Sequence, residues 1–363
     1  MRITAIDIHP FDIKMREPFR IATATMDRSP NVLIHILTDE GLDGWGEASP
    51  LHSIVGETQG ICIAAAKEIR PLLIGKDPVE IDERVGEMDR LLPHNTTTKS
   101  AFDMALYDLA GKAAGLPVYR LLGGSKRPME TDLTIGLCKP KDAGSKTAAV
   151  LAKGFKIIKV KLGTGLKDDL ARLTAVREAA PHARIRIDAN QGWNRVTAVQ
   201  ALTAMEELDV EFCEQPLPAE DVDGLREVGG SVGIPLMADE ALFTPASALR
   251  LAKEDACPYF NVKLSKSGGI RHALEVAAIA DAAGIKCMVG CMLESRLGLG
   301  AAVHFARAAG CVEFYDLDMC FEHTEELIDG GLSVKNGMIS IPDEPGIGAR
   351  PKPEVVERLV KVE

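Results

Sequence analysis

Six residues set the chemical question. Lys159 and Lys161 stand two apart at the end of the run Phe155-Lys156-Ile157-Ile158-Lys159-Val160-Lys161-Leu162-Gly163. Asp188, Glu214 and Asp239 close three further apolar runs, Ile185-Arg186-Ile187-Asp188, Phe212-Cys213-Glu214-Gln215 and Met237-Ala238-Asp239-Glu240. Lys263 closes another, Phe260-Asn261-Val262-Lys263. Gathered in one place, three carboxylates repel one another unless they are protonated or bound to a cation. An all-oxygen set suits Mg²⁺ or a similar hard ion rather than zinc. A substrate carboxylate on such an ion presents its α-carbon between the lysines, and the metal stabilises the enediolate formed when the α-proton leaves. A lysine acts as base only if its pKa falls towards neutrality. The Lys159 ammonium beside Lys161, and exclusion of water, both push that way. Lysines on opposite faces then allow removal of a proton from one face and delivery to the other.

Taken singly the signals are weak. A Lys-x-Lys pair also fits a frayed strand end with both side chains in water, and a lone carboxylate fits a helix cap or a surface ion pair. Three acids in successive units, flanked by lysines, are specific.

The elements that must position these residues alternate strand and helix after Leu121-Leu122-Gly123-Gly124. Short apolar strands are expected at Thr131–Leu137, Ile157–Lys161, Ala183–Asp188, Phe212–Gln215, Pro235–Asp239, Tyr259–Lys263, Lys286–Gly290 and Cys311–Asp316. Helical stretches such as Asp168–Ala179, Arg195–Leu208 and Gly269–Ala283 separate them. Eight strands and seven helices indicate a parallel barrel or a doubly wound sheet. The intervals between strand-end residues (27, 26, 25 and 24 from Lys161 through Lys263) favour the barrel, because near-equal units close a ring. Its C-terminal mouth is where the strand-end residues would meet.

Before the barrel, Met1–Pro10, Asn31–Thr38 and Leu42–Ala48 read as antiparallel strands, with Asp39-Glu40-Gly41 as a turn. Arg16–Pro30 reads as a polar loop, too long for a simple hairpin. Residues 57–76, 77–92 and 96–115 read as helices. After about Asp329, Leu332–Ile341 forms a hairpin around Asn336-Gly337, expected to pack back on the first domain. The expected domains are an α+β capping domain over 1–125, a barrel over 126–328 and a tail over 329–363.

Composition sets bounds. The 363-residue chain carries a net charge of −11, which argues against a nucleic-acid or anionic-membrane partner. No apolar run approaches the roughly 20 residues that span a bilayer. The first residues alternate like a strand and lack the apolar stretch of a signal peptide. Eight scattered cysteines, none in a Cys-x-x-Cys pair, suit buried free thiols in a reducing cytoplasm. Cys291 has no evident histidine partner, so a buried thiol is expected there rather than a nucleophile.

Lys159-Val160-Lys161, the Asp188/Glu214/Asp239 trio and Lys263 together resemble the muconate-lactonizing subgroup of the enolase superfamily. The resemblance extends to Gly44-Trp45-Gly46-Glu47 and Met104-Ala105-Leu106-Tyr107-Asp108. It implies a (β/α)₇β modified TIM barrel with a capping domain made from both chain ends. It also implies Mg²⁺, one per subunit, on Asp188, Glu214 and Asp239, and Lys161 and Lys263 as the acid/base pair. Lys266 competes with Lys263 for the sixth strand.

Within the subgroup the chain is most similar to dipeptide epimerases of the L-Ala-D/L-Glu type. The feature that carries this is Asp316-Leu317-Asp318 at the eighth strand end, which in that family binds the substrate α-ammonium. The resemblance implies further substrate contacts at Thr134, Ala24, Ile54 and Glu294. The alanine–glutamate enzymes place an arginine in the first-domain loop where this chain has Ala24, so a small apolar or mixed dipeptide is as compatible as an acidic one. The loop Leu51–Glu57, including Ile54, forms either a pocket wall or plain packing. A cytoplasmic homo-oligomer is expected. The alternatives are a muconate cycloisomerase, an N-acylamino-acid racemase or an o-succinylbenzoate synthase on the same site, or a barrel that binds without catalysis.

Overall fold

The computed structural model describes residues 1–363. Two strands, β1 (Ile3–Arg20) and β2 (Thr25–Thr38), form a long antiparallel ribbon, and β3 (Asp43–Ala48) pairs with β2. The loop expected over Arg16–Pro30 is instead the ribbon's tip. Phe19 pairs with Met26 and Arg20 with Thr25, and only residues 21–24 turn. The reason lies in distant side chains: Phe19, Ile21 and Met26 pack with Leu51, Met292, Leu293 and Met319. A segment polar on its own becomes half of an interface, and tertiary packing decides its conformation. The tip is also tied down by backbone bonds, Arg16 N–H to Glu322 O and Leu137 N–H to Arg20 O.

Helices Gln59–Leu73, Ile81–Leu91 and Thr96–Ala114 pack behind this sheet. Helix Thr96–Ala114 is buried over most of its length. Strand β3 lies directly on it. A Cβ at Gly46 would stand 1.9 Å from the Ala101 carbonyl oxygen, so only glycine permits the approach.

Eight strands follow: β4 (Leu133–Ile135), β5 (Ile157–Lys161), β6 (Arg184–Asp188), β7 (Val210–Glu214), β8 (Leu236–Ala238), β9 (Tyr259–Val262), β10 (Lys286–Val289) and β11 (Val312–Tyr315). They pair in chain order, all parallel, with a helix after each of the first seven. The sheet curls so that Asp132 N–H reaches Tyr315 O at 3.4 Å, joining the segments that enter β4 and leave β11. Helices cover the outside, which is why the strands read as almost continuous apolar runs. At the foot of the barrel Phe212, Tyr259 and Phe314 meet edge to face at 5.2–5.8 Å. The Arg186 guanidinium lies 5.3 Å from the rings of Phe212 and Phe314 and pairs with Asp132 and Glu211.

The cap docks on the barrel through two buried carboxylates. Glu47 accepts from the N–H groups of Ser295 and Gly298, at the start of helix Arg296–Ala308. Asp103 accepts from Ile270 and Arg271, at the start of helix Ile270–Ala282. Each satisfies N–H groups that a helix leaves open and meets the positive end of its dipole.

The tail divides its contacts. Strand β12 (Ile328–Gly330) pairs with β15 (Ala349–Pro351), and β13 (Ser333–Lys335) and β14 (Met338–Ser340) make the hairpin. The hairpin lies at the foot of β4, where Met338 bridges to Glu130. Beyond it, Ile347 N–H donates to Asp108 and Val362 N–H donates to Ile8 O in the first domain. All eight cysteines are free thiols. No helix is long and apolar enough to cross a membrane.

Candidate active site

Alternation along each strand decides what the barrel encloses. Lys159 and Lys161 share the inner face of β5, and both reach the same atom: Asp188 Oδ2 lies 2.6 Å from Lys161 Nζ and 3.2 Å from Lys159 Nζ. Lys159 goes on to Glu214 and Asp316, each at 2.7 Å. Register places Asp188 beside Lys161 and Glu214 beside Asp188. Asp239 follows β8 and pairs with two lysines, Lys263 at 2.9 Å and Lys266. Gly290 makes room for one of them, since a Cβ there would stand 2.9 Å from Lys263 Cε. All of these side chains are buried.

Charge at such depth shifts titration. Burial pushes Glu214 up, the Asp188 charge adds to it, and the carboxyl reaches about 7. Burial opposes ionisation of Asp188 and Asp239 as well, but Lys161 and Lys159, and Lys263 and Lys266, outweigh it and hold both below the ordinary range. Burial lowers Lys159 and Lys263, yet the facing carboxylates more than reverse this and hold both above the ordinary lysine value. For Lys263 the carboxylates therefore oppose the fall in pKa that a base requires, because the lysine is their counter-charge. Lys266 is the exception: burial outweighs Asp239 and lowers it.

The acids fit a hard divalent cation. Glu214 Oε2 is 2.7 Å from Lys159 Nζ, yet it accepts no aligned hydrogen bond. Asn190 Oδ1, Glu240 Oε2 and Asn261 Oδ1 are also buried without a donor. Unpartnered buried oxygens are costly, and a cation with oxygen ligands is the partner they suit.

One cavity opens above these acids. Lys161, Lys263, Thr134, Asn190, Asp316 and Asp318 line its polar part, and Cys291 lies beside the two aspartates. Asp318 accepts the Thr134 N–H at 2.6 Å. Phe19, Ile21, Met26, Leu51, Ile54, Met292, Leu293 and Met319 roof it. Of the residues expected to contact substrate, Asp316, Asp318, Thr134 and Ile54 line this cavity. Ala24 and Glu294 do not. The Ala24 methyl packs against the roof cluster and does not reach inside. The Glu294 carboxylate turns to Ser265 Oγ and the Met292 N–H. Sequence reasoning missed Asn261, which donates to Glu214 Oε1 at 2.8 Å, and Arg186. Each stands two residues before a residue that was singled out, so period-two alternation was the available signal.

A capped parallel barrel with lysines and carboxylates at its mouth defines a class, and the sequence comparisons give the family. Residues 3–123 match the N-terminal domain of mandelate racemase / muconate lactonizing enzymes, and residues 143–355 match the enolase C-terminal domain-like family. The chain belongs to the mandelate racemase / muconate lactonizing enzyme family of the enolase superfamily. It is 36% identical to an L-Ala-D/L-Glu epimerase of Clostridium acetobutylicum, over 96% of this chain and 98% of that protein. It is also 36% identical to a hydrophobic dipeptide epimerase of Enterococcus faecalis, over 96% and 99%. Among solved structures, the dipeptide epimerase of Cytophaga hutchinsonii complexed with Mg and the dipeptide D-Ala-L-Val superposes with a TM-score of 0.98. That likeness covers 100% of this chain and 99% of the other at 36% identity.

Proposed function

We propose that the protein is a Mg²⁺-dependent dipeptide epimerase that inverts the α-carbon of the C-terminal residue, with Lys161 and Lys263 as its two bases. One observation carries the reading. Strands β5 and β9 are the second and sixth of eight, so they stand across the barrel from each other, and their lysines face one cavity from opposite sides.

Asp188, Glu214 and Asp239 would hold the cation. When bound, Mg²⁺ supplies positive charge that neutralises the acids and stabilises the negative charge growing on the substrate carboxylate. The remaining work falls to the chain. The Lys161 amine takes the α-proton from one face, and the C–H electron pair stays on the substrate. The Lys263 ammonium gives a proton to the opposite face, and a new C–H bond completes the inversion. In the reverse direction the two exchange roles. Asp316 and Asp318 would accept hydrogen bonds from the dipeptide ammonium. Burial opposes ionisation of Asp316, but Lys159 and Lys161 hold it at about 2, so it stays charged. Burial and the Asp316 charge push Asp318 up to about 7, and a cation between the two relieves that repulsion. Lys159 fixes the positions of Asp188, Glu214 and Asp316. The apolar roof excludes water.

The names of these and other relatives, among them a D-Ala-D/L-Ala epimerase of Cytophaga hutchinsonii, support the same activity. The test is α-proton exchange in D₂O, followed by mass and NMR at the dipeptide's C-terminal residue. Exchange should require Mg²⁺ and vanish in Asp239→Asn; exchange that ignores the metal sinks the proposal.

A further inference from the structure

The cavity that would take the dipeptide has a charge inventory that closes. Four charged side chains line it. Under the proposed reading, Lys161 and Lys263 serve the reacting carbon, and Asp316 and Asp318 serve the ammonium. No other cation or anion is among the lining residues. The ribbon's arginines do not add one. Arg20 is exposed and lines a neighbouring groove with Arg16, Lys146 and Lys153; that groove meets the cavity at Phe19 and Thr134, but none of these cations lines the cavity itself. Arg28 is exposed too and lies 3.9 Å from Asp12.

What remains for the substrate side chains is the roof, and all eight of its residues are apolar. An ionised side chain there would lose its hydration and find no partner, a cost that discriminates strongly against it. An apolar side chain gains affinity with each methylene it hides from water.

The roof also has a mechanical character. Met26 comes from the ribbon, Met292 from the segment after β10, and Met319 from the segment after β11, with Met15 in the same cluster. Unbranched, polarizable thioethers repack around ligands of different shape at small cost. Elements from three parts of the chain thus meet over the cavity through adaptable side chains.

We infer that the dipeptides taken by this site carry uncharged, apolar side chains, and that the methionine roof admits a range of sizes rather than one. This rests on the epimerase reading and narrows its substrate class. The apolar roof and the absence of a spare charge are the specificity determinants. Charged side chains are rejected because nothing answers them.

The experiment uses the Mg²⁺-loaded protein and an equimolar library of L-Ala-L-Xaa and L-Xaa-L-Ala dipeptides in D₂O, read by mass spectrometry for deuterium uptake. At their C-terminal α-carbon, dipeptides with Leu, Met, Val or Phe as Xaa should take up label at least about 100-fold faster than those with Glu, Asp, Lys or Arg, and within about tenfold of one another. Labelling of a charged residue at the apolar rate overturns the inference and leaves the epimerase reading standing. Labelling of one apolar residue alone overturns the claim of breadth. Labelling of no dipeptide overturns the epimerase reading and takes the inference with it. A variant supplies the converse. Ile54→Arg places a cation in the roof at a partly exposed position, and it should raise Glu labelling relative to Leu by at least tenfold. An unchanged ratio, with the variant folded by circular dichroism, counts against the roof as the determinant.

Discussion

Asp103, a cap residue, accepts the backbone N–H of Ile270, a barrel residue, at 2.5 Å. The same carboxylate accepts Arg271 N–H at 3.2 Å. Seven residues before Ile270 stands Lys263. A side chain of the cap therefore anchors the start of the barrel helix that follows the strand end carrying one of the two proposed bases. Asp103→Ala leaves two N–H groups without their acceptor and should destabilise the protein by about 3 kcal/mol. Denaturant unfolding of the two proteins measures the loss, and Asp103→Asn, which keeps one acceptor oxygen, should recover part of it.

Substitution of each lysine should separate the two faces of the reaction. In Lys161→Ala, exchange from one stereoisomer should fall by about 10²–10⁴-fold, the usual contribution of a positioned acid or base. In Lys263→Ala the other stereoisomer should suffer. Assays with L,L and L,D dipeptides in D₂O distinguish the cases. Two variants that both still epimerise at the wild-type rate are incompatible with a two-base site.

Asp316→Asn should raise KM for free dipeptides by about 10- to 100-fold, the equivalent of losing one charge-assisted hydrogen bond of roughly 1.5–3 kcal/mol. N-acylated analogues have no ammonium and should change less. Steady-state kinetics on matched pairs gives the answer, and a larger loss for the acylated series would point to the racemase alternative.

His272 ties the barrel helix Ile270–Ala282 to the cap. Its ring bonds Asp89 at 2.8 Å on one side and Glu275 at 2.7 Å on the other. The hydrogen bond to Asp89, ahead of the opposing burial and the added pull of Glu275, raises the imidazole from 6.5 to about 9. Lys99 shares Asp89, and Arg271 lies beside Glu275. A raised folded pKa means that the stabilisation is complete below about 6.5 and is lost as pH rises through about 9. The Tm difference between wild type and His272→Gln should be largest near pH 6 and shrink above pH 9. A difference constant across that range would falsify the assignment.

Much of the site could be read in advance because a barrel converts sequence spacing into angular position. Lys161, Asp188, Glu214, Asp239 and Lys263 recur at near-equal intervals and end consecutive strands, so linear order became order around the mouth. The ribbon tip was not legible. Phe19, Ile21 and Met26 gain their burial from residues as far away as Met319, and local pattern carries no trace of that. The docking roles of Asp103 and Glu47 escaped for a related reason. Their partners are backbone N–H groups of another domain, which have no sequence identity to recognise. Ala24 and Glu294 came from the family resemblance alone, and a resemblance fixes a position along the chain without fixing where a side chain points.

The aromatic triangle of Phe212, Tyr259 and Phe314 beneath Arg186 stoppers the barrel at its foot. The cavity above it lies beneath the ribbon tip, whose Phe19, Ile21 and Met26 help to roof it. On the proposed function, a proton taken by Lys161 or Lys263 is held between that stopper and that roof, away from bulk solvent. The better that roof seals, the longer a captured proton would keep its isotopic label. The fraction of label carried from substrate into product would then measure how well the ribbon tip shuts out water.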